Sequence, residues 1–328
     1  MTLEFTRRRW LRLATATLAA GAAQAQAQGD DWPRRPVRLV VGFPGGSTPD
    51  LVARTLAEPL AQALGQPVIV DNRPGAGGNI GADIVARATD GHTLGVMING
   101  NLTIAKLLNP GAPYDPARDL APVSLLATAP LVLVAGPGLP ADSARGFLAA
   151  ARAAGDRWSY GSPGVGTVAH IGMELLKARA GIAPVHVPYP GNPQVVQALA
   201  AREVQLALLP PGLALPQVRS GRLHAVGLSS AGRSPLAPEL PSLAEGGLAG
   251  FELEVWNALA APASMPVARV ARLSALAAEI VRRPQVRQQL FAQGWQVAGT
   301  SAEGLARRMK ADTALLGGVI RRQGIRAQ

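Results

Sequence analysis

The sequence predicts an α/β protein of two domains, in which each domain is a mostly parallel β-sheet flanked by helices. A length of 328 residues exceeds what one hydrophobic core usually supports. From Val37 onward, short β-branched runs alternate with helical stretches, and this alternation is typical of βαβ units. A glycine-rich turn also follows a predicted strand in each half, at the end of the strand where such folds bind ligands.

The composition is that of a globular protein without nucleic-acid-binding character. Apolar residues make up 48% and charged residues 16% of the chain, which excludes a disordered protein. The formal net charge is +11, but the arginines are scattered and aromatic residues are rare, so we expect no nucleic-acid partner. The chain has no cysteine, which excludes disulfides, thiolate catalysis and cysteine-ligated metals.

Residues 1–27 have the features of an export signal peptide. Several arginines precede a short, alanine-rich apolar run, and small residues near Ala25 and Ala27 offer cleavage sites. The run is shorter than the roughly 20 residues that a bilayer span needs. We therefore expect the mature protein in the periplasm. The segment Thr6–Leu11 fits both a twin-arginine signal and an ordinary arginine-rich secretory signal, and the sequence does not choose between them.

The first half contains four predicted strands and two predicted helices. The strands are Val37–Val41, Val68–Val70, Thr93–Ile98 and Leu131–Ala135, and the helices are Pro49–Leu64 and Asn79–Ala88. Thr48 suits a helix N-cap, Asp50 suits the first turn, and Gly65 suits the position after the last turn.

The second half repeats this pattern and ends in a helical tail. Its predicted strands are Trp158–Gly161, Pro184–Val187, Val204–Leu209 and His224–Ser229, and its helices are Ser143–Ala154, Thr167–Ala180 and Gln194–Ala201. The tail helices are Val267–Arg282, Gln285–Gly294 and Ser301–Arg322. We expect the tail to pack on the first half, so that the chain crosses between domains near Gly136 and near Glu252. The predicted domains are residues 28–135 with 253–328, and residues 136–252.

Residues 43–48, which we call the first elbow, join a strand to a helix through paired glycines. Glycine lets the backbone approach a ligand closely, and the helix start presents N–H groups to an anion. We interpret this elbow as a carboxylate site; the alternative is a tight turn with a good cap. A P-loop is excluded because no Gly-Lys-Ser/Thr follows.

Residues 162–170, the second elbow, contain Gly164–Ala169, which matches G-x-G-x-x-A. A dinucleotide site also needs an acidic residue about 20 positions later, and that region reads Pro184–Pro190 without one. Anion binding by backbone N–H groups is therefore favoured here too. His170 lies in the first turn of the following helix, as a candidate ligand contact or as a simple surface histidine.

Catalytic and metal-binding motifs are missing from the sequence. It contains neither G-x-S-x-G nor HExxH, and carboxylates do not cluster in the elbows. We therefore predict that the protein is not an enzyme and that it holds no metal and no cofactor. The glycine-rich segment Arg73–Gly81 is interpreted as a turn or cleft wall, because its glycine spacing does not fit a dinucleotide loop.

Taken together, these motifs resemble one family. The matching segments run from about Trp32 to the C-terminus and are Pro36–Thr48, Val70–Ala82, Pro113–Pro116, Val187–Tyr189, Ser230–Pro235 and Ala261–Ala263. In them the chain is similar to the Bug family, the extracytoplasmic solute receptors of the tripartite tricarboxylate transporter system. The resemblance implies a two-domain, type II periplasmic-binding-protein fold that closes on a small carboxylate.

The resemblance also implies the ligand-binding residues and the partners. The implied positions are Phe43, Gly45, Gly46, Ser47, Thr48, Asn99 and Asn101 on the first domain, and Ser162, Gly166, Thr167 and His170 on the second. The expected partner is a membrane permease, and the receptor itself is expected to be a monomer. A ligand sensor for a membrane signalling partner remains an alternative. An exported hydrolase or isomerase that uses Ser162 or His170 is another.

One position departs from the family pattern. Where relatives often carry an aspartate after the Val-Pro-Tyr segment, this chain has Leu209. An aspartate there would suit the ammonium group of an amino acid, and leucine does not. The hypothesis that follows is a ligand without an ammonium group, with an apolar or aromatic body beside its carboxylate.

Overall fold

A computed structural model describes residues 31–140 and 143–326. The predicted export signal at 1–27 lies outside these residues. The chain divides into a short unit, Met1–Arg35, and a main unit, Pro36–Gln328, which contains every strand and helix named below.

The described strands are β1 (Val37–Val41), β2 (Val68–Asn72), β3 (Thr93–Ile98), β4 (Leu120–Pro130), β5 (Val132–Ala135), β6 (Ser159–Ser162), β7 (Val185–Pro188), β8 (Leu206–Leu209), β9 (His224–Leu228), β10 (Glu254–Pro262) and β11 (Gln296–Val297). The described α-helices are α1 (Thr48–Leu64), α2 (Asn79–Ala86), α3 (Ala105–Leu108), α4 (Pro116–Asp119), α5 (Ala144–Ala154), α6 (Val168–Ala180), α7 (Asn192–Ala200), α8 (Pro211–Arg219), α9 (Val267–Arg282), α10 (Pro284–Ala292) and α11 (Ala302–Gln323).

The strands form two sheets, so the predicted α/β class is confirmed. The first sheet has the order β11-β4-β10-β3-β1-β2 and the second the order β7-β6-β8-β5-β9. Parallel pairing joins β1 to β2 and β3, and β6 to β7 and β8. In contrast, β10 and β5 run antiparallel to both of their neighbours. The sheets are therefore mixed rather than mostly parallel, because β5 and β10 are the strands that follow a crossing between sheets and not a helical crossover within one.

The first crossing lies at Leu131, between β4 and β5. This crossing was predicted near Gly136, which assigned Val132–Ala135 to the first domain. In the structure this strand pairs with β8 and β9 of the second sheet. Pro130 stands immediately before Leu131 and ends β4, so the sequence carries a break signal at the crossing that the prediction did not use. The return crossing is the segment from residue 229 to residue 253, which connects β9 to β10.

The three tail helices cover the first sheet, as predicted. Helix α9 packs on β4 and α1, and α10 packs on α1. Helix α11 packs on β4 but also on α6 beside the second sheet. Its Asp312 accepts a hydrogen bond from the buried Trp256 indole at 2.6 Å, and this bond ties the tail to the strand that returns from the second sheet.

Candidate functional site

Four helices begin at one cavity between the two sheets. We call it the elbow cavity; it is lined by Phe43, Ser47, Thr48, Pro49, Ile98, Leu131, Pro163, Thr167, Val168, Ala169, Asn192, Pro210 and Val255. The lining includes the starts of α1, α6 and α7 and the residue just before α8. A helix start carries a partial positive charge, so the convergence of four favours an anion. The starts of α1 and α6 also offer backbone N–H groups, whereas Pro210 and Pro211 at α8 have none.

The elbow cavity contains two buried polar atoms without a hydrogen-bond partner. Ser47 is 1% exposed and Asn192 is 6% exposed, and neither Ser47 Oγ nor Asn192 Oδ1 has a partner among the described residues. Leaving such groups unpaired costs about 1–3 kcal/mol each. None of the cavity-lining residues has an ionisable side chain. The volume is about 20 Å³, room for roughly one water molecule, so the two sides stand in a closed arrangement.

Asp50 fixes the shape of the first elbow. Its carboxylate accepts hydrogen bonds from the Gly46 amide at 2.8 Å, from Asn72 Nδ2 at 2.9 Å and from Arg54 Nε at 3.0 Å. Burial alone would raise the pKa of Asp50, but these bonds from Arg54, Gly46 and Asn72 bring it below its ordinary value. The Gly46 amide is therefore already occupied, and Gly45 and Gly46 are exposed outside the elbow cavity.

The second elbow presents Thr167 to the elbow cavity and turns its other predicted residues elsewhere. Thr167 Oγ1 donates to Gly164 O at 2.8 Å and accepts from the His170 amide at 3.4 Å, so it caps α6. Ser162 has no exposed surface, and its Oγ lies 2.7 Å from His186 Nε2. His170 stacks on His186 outside the elbow cavity.

Three further predicted residues have structural contacts in place of a position in the elbow cavity. Asn99 Nδ2 donates to Glu254 O at 3.0 Å, and Asn101 Nδ2 donates to Gly77 O at 3.0 Å. Leu209 is fully buried in the core of the second sheet. It is the last residue of β8 and its side chain packs inward, whereas Pro210, one residue later, reaches the cavity. The ligand hypothesis built on Leu209 therefore loses that support.

A second, larger cavity of about 530 Å³ lies between the glycine-rich segments of both halves. Its lining consists of Gly75, Ala76, Gly77, Asn79, Gly100, Ala105, Leu108, Asn109, Gly164, Val165, Gly166, Pro188, Tyr189 and Pro190. The Arg73–Gly81 segment is thus part of a cleft wall. The main chains of the two halves approach closely here. A Cβ added at Gly77 would lie 2.5 Å from Val165 O, and one added at Gly100 would lie 2.5 Å from Gly166 O, so neither position has room for a side chain.

Asn192 and Pro210 are functional candidates that the sequence reasoning missed. Both stand where a strand of the second sheet is followed by a helix with proline in its first turn. Proline at this position marks a helix start, so Gly191-Asn-Pro193 and Leu209-Pro-Pro211 carried a usable signal. That these starts meet the two elbows is a property of the tertiary structure.

The described residues contain no group of three histidine, aspartate or glutamate side chains that could hold a metal ion. Nor do they include a helix with both the length and the apolarity to cross a membrane.

Comparison with known proteins identifies the family. A family model described as the tripartite tricarboxylate transporter family receptor matches residues 52–325. The protein BugT of Bordetella pertussis is 37% identical over 247 residues, which cover 75% of this chain and 76% of BugT. The solved structure of Rhodopseudomonas palustris Rpa4515 with adipate is 31% identical with a TM-score of 0.86, and 89% of this chain and 98% of that chain are covered. MatC from the same organism, with bound malate, is 31% identical with a TM-score of 0.84, covering 88% and 100%. This chain therefore belongs to the receptor family of the tripartite tricarboxylate transporters, and it has the fold of their periplasmic binding proteins.

Proposed function

We propose that the protein captures a small carboxylate at the elbow cavity, which must widen from the closed arrangement described here to admit it, and delivers it to a tripartite tricarboxylate-type membrane transporter. The observation that carries the proposal is the convergence of four helix starts on a cavity without ionisable side chains. An anion gains from the four positive helix ends, and it supplies acceptors for the backbone N–H groups there.

Ser47 Oγ and Asn192 would complete the site. Ser47 Oγ can donate to a carboxylate oxygen. Asn192 can donate with its NH₂ group when its side-chain amide is turned over, because the unpartnered atom in this structure is the acceptor Oδ1. Each stands on a different side of the cavity, one on the first elbow and one at the start of α7. A ligand held by both joins the two halves of the molecule, which is how a binding protein couples capture to closure.

The lining favours a ligand without an ammonium group. An ammonium needs a carboxylate or several carbonyl acceptors, and neither cavity between the halves is lined by an aspartate or glutamate. The apolar lining, with Phe43, Ile98 and Val255 among it, suits a hydrocarbon body. We infer a mono- or dicarboxylate such as the adipate or malate bound by the two neighbours.

The proposed setting is the periplasm, with residues 1–27 as the export signal and the two halves as domains that close on the ligand. Delivery requires a transporter that recognises the closed form. Genetic deletion of the permease subunits should abolish uptake of the ligand without changing its binding to the purified protein.

Calorimetric titration with adipate, malate and glutamate tests the ligand class. We expect adipate or malate to bind and glutamate to bind at least about tenfold more weakly, because its ammonium would lose hydration without gaining a partner. Ser47→Ala and Asn192→Leu should each weaken binding about tenfold or more. Ser220→Ala, on the exposed end of α8, is the matched control. Tight glutamate binding, or unchanged affinity in both cavity variants, would contradict the proposal.

The hydrolase alternative rests on one specific observation, the 2.7 Å contact between Ser162 Oγ and His186 Nε2. This is the distance expected for a nucleophile and its base. Ser162, however, is fully buried and its Oγ also contacts Gly164 O at 3.2 Å. Assay of carboxylic ester hydrolysis by the wild type and Ser162→Ala separates the two functions, since only an enzyme would lose turnover.

A further inference from the structure

A cluster of ionisable groups lies behind the second elbow, outside the elbow cavity. His170 lies in the first turn of α6, His186 lies on β7 and Tyr160 lies on β6. The rings form a stack: the centroids of His170 and His186 are 4.3 Å apart, and those of His186 and Tyr160 are 4.8 Å apart. The binding role proposed for the elbow does not use this stack.

The stack contacts the elbow through the main chain of Gly166. The Gly166 amide donates a hydrogen bond to His170 Nδ1 at 3.3 Å. Nδ1 accepts a hydrogen bond only when it carries no proton, so this bond requires the neutral ring with its proton on Nε2. The ring is 5% exposed and has little freedom to turn. Protonation would place two donors face to face at Gly166.

His186 increases the cost of charging His170. Two imidazolium rings stacked at 4.3 Å would repel each other. The hydrogen bond between His186 Nε2 and Ser162 Oγ forms with either group as donor, because a hydroxyl both donates and accepts. The bond to Gly166 is therefore the contact that depends on protonation.

The charges around His170 come from its own helix, from the neighbouring strands and from the segment after α11. Glu174 and Lys177 lie on α6, and Arg326 lines the same cavity as both histidines. Glu174 already accepts from Tyr160 Oη at 2.6 Å and from Lys177 Nζ at 2.9 Å, so its negative charge is partly neutralised.

The neutral state prevails in this environment. Burial lowers the pKa of His170, although the nearby Glu174 carboxylate acts in the opposite direction. Burial, assisted by His170, lowers the pKa of His186 to about 4. Both rings are therefore neutral near pH 7, and they gain protons only as the medium becomes acidic.

We propose that His170 is a positioning residue that holds the second elbow through Gly166 only as a neutral ring, so that acidification loosens the elbow and weakens ligand binding. The proposal rests on the carboxylate site proposed above, because it assigns the elbow to ligand capture. Receptor occupancy would then follow periplasmic pH, with release favoured in acid.

The positioning role is tested first without ligand, by nuclear magnetic resonance on ¹⁵N-labelled full-length mature protein. We expect the Gly166 amide signal to shift with pH and with the same midpoint as the His170 ring. In His170→Asn the side-chain Oδ1 can take the place of Nδ1 and does not titrate, so the signal should stay constant. His224→Gln, an exposed histidine on β9, should titrate at Gly166 like the wild type. A Gly166 signal that ignores the His170 midpoint would overturn the proposal.

The consequence for binding is tested with adipate at a series of pH values. Adipate itself gains protons in acid, so the wild type is compared with His170→Asn at each pH. Below the His170 midpoint, the wild-type Kd should rise more steeply than that of His170→Asn, by up to about tenfold per pH unit. Equal pH dependence of the two proteins would overturn the proposal. If adipate fails to bind at every pH, the proposed function is in doubt, while the Gly166 titration still decides the role of His170.

Discussion

Ser229 is hydrogen-bonded to Leu131 through both its main chain and its side chain. The Ser229 amide donates to Leu131 O at 2.8 Å, and the Leu131 amide donates to Ser229 Oγ at 2.8 Å. Ser229 Oγ donates in turn to Leu253 O at 2.6 Å. Leu131 is the first crossing between the sheets and Leu253 ends the return crossing, so one hydroxyl connects both. This places a rigid joint at the point where hinge motion would begin.

Replacing Ser229 with alanine should destabilise the protein and loosen this joint. The Leu131 amide would be left buried without an acceptor, at a cost of about 1–3 kcal/mol. Urea unfolding measures this loss as a lower midpoint at an unchanged slope. The matched control is Ser220→Ala, which removes an exposed hydroxyl and should leave the free energy of unfolding within about 0.5 kcal/mol of the wild-type value. An unchanged Ser229→Ala midpoint would show that the joint carries no stability.

Gly100→Ala should hinder closure of the cleft. The added methyl group would lie 2.5 Å from the Gly166 carbonyl oxygen across the cleft, a distance that real Cβ contacts do not reach. Since the competent closed state would be less populated, the apparent Kd for adipate should rise about tenfold or more. Small-angle scattering should show the ligand-loaded variant more extended than the wild type. Gly232→Ala is the control, because a Cβ at this exposed position meets nothing within 4 Å. Wild-type affinity in Gly100→Ala would contradict the closed contact.

Asp50→Ala should disrupt the first elbow and remove part of the acid sensitivity of folding. The substitution leaves the Gly46 amide, Asn72 and Arg54 without their shared acceptor, which we expect to cost about 2–4 kcal/mol near neutral pH. The folded-state pKa of Asp50 is lowered, so its contribution is present above the unfolded pKa of about 4 and is lost as the pH falls through the folded value. Unfolding curves between about pH 7 and about pH 3 measure this difference. A gap between wild type and variant that stays constant with pH would contradict it.

The alternation of strands and helices was readable from the sequence because local propensity and turn residues report it directly. The helix starts at both elbows and most strands of the two halves were predicted within a few residues. Strands β4 and β11 and helices α3, α4 and α8 were not predicted, and the N-cap of α1 is Ser47 in place of the predicted Thr48. Leu131 was not recognised as a crossing, because Pro130 before it marks a break in the strand but does not tell which sheet the next strand joins. Leu209 was misplaced for a related reason: whether the last residue of a strand points inward depends on register, which only the sheet reveals. The first residues of α7 and α8 lie next to the two elbows only because of tertiary packing, which no single segment of the sequence encodes.

Helix α11 contacts both β4 of the first sheet and α6 beside the second sheet. A motion that separates the two sheets and widens the cleft must shift or break the contact of α11 with β4 or with α6. These contacts therefore oppose opening. The amides of α11 offer a remote gauge of ligand loading: hydrogen exchange along residues 302–323 should slow when the receptor is filled, even though none of those residues borders the elbow cavity.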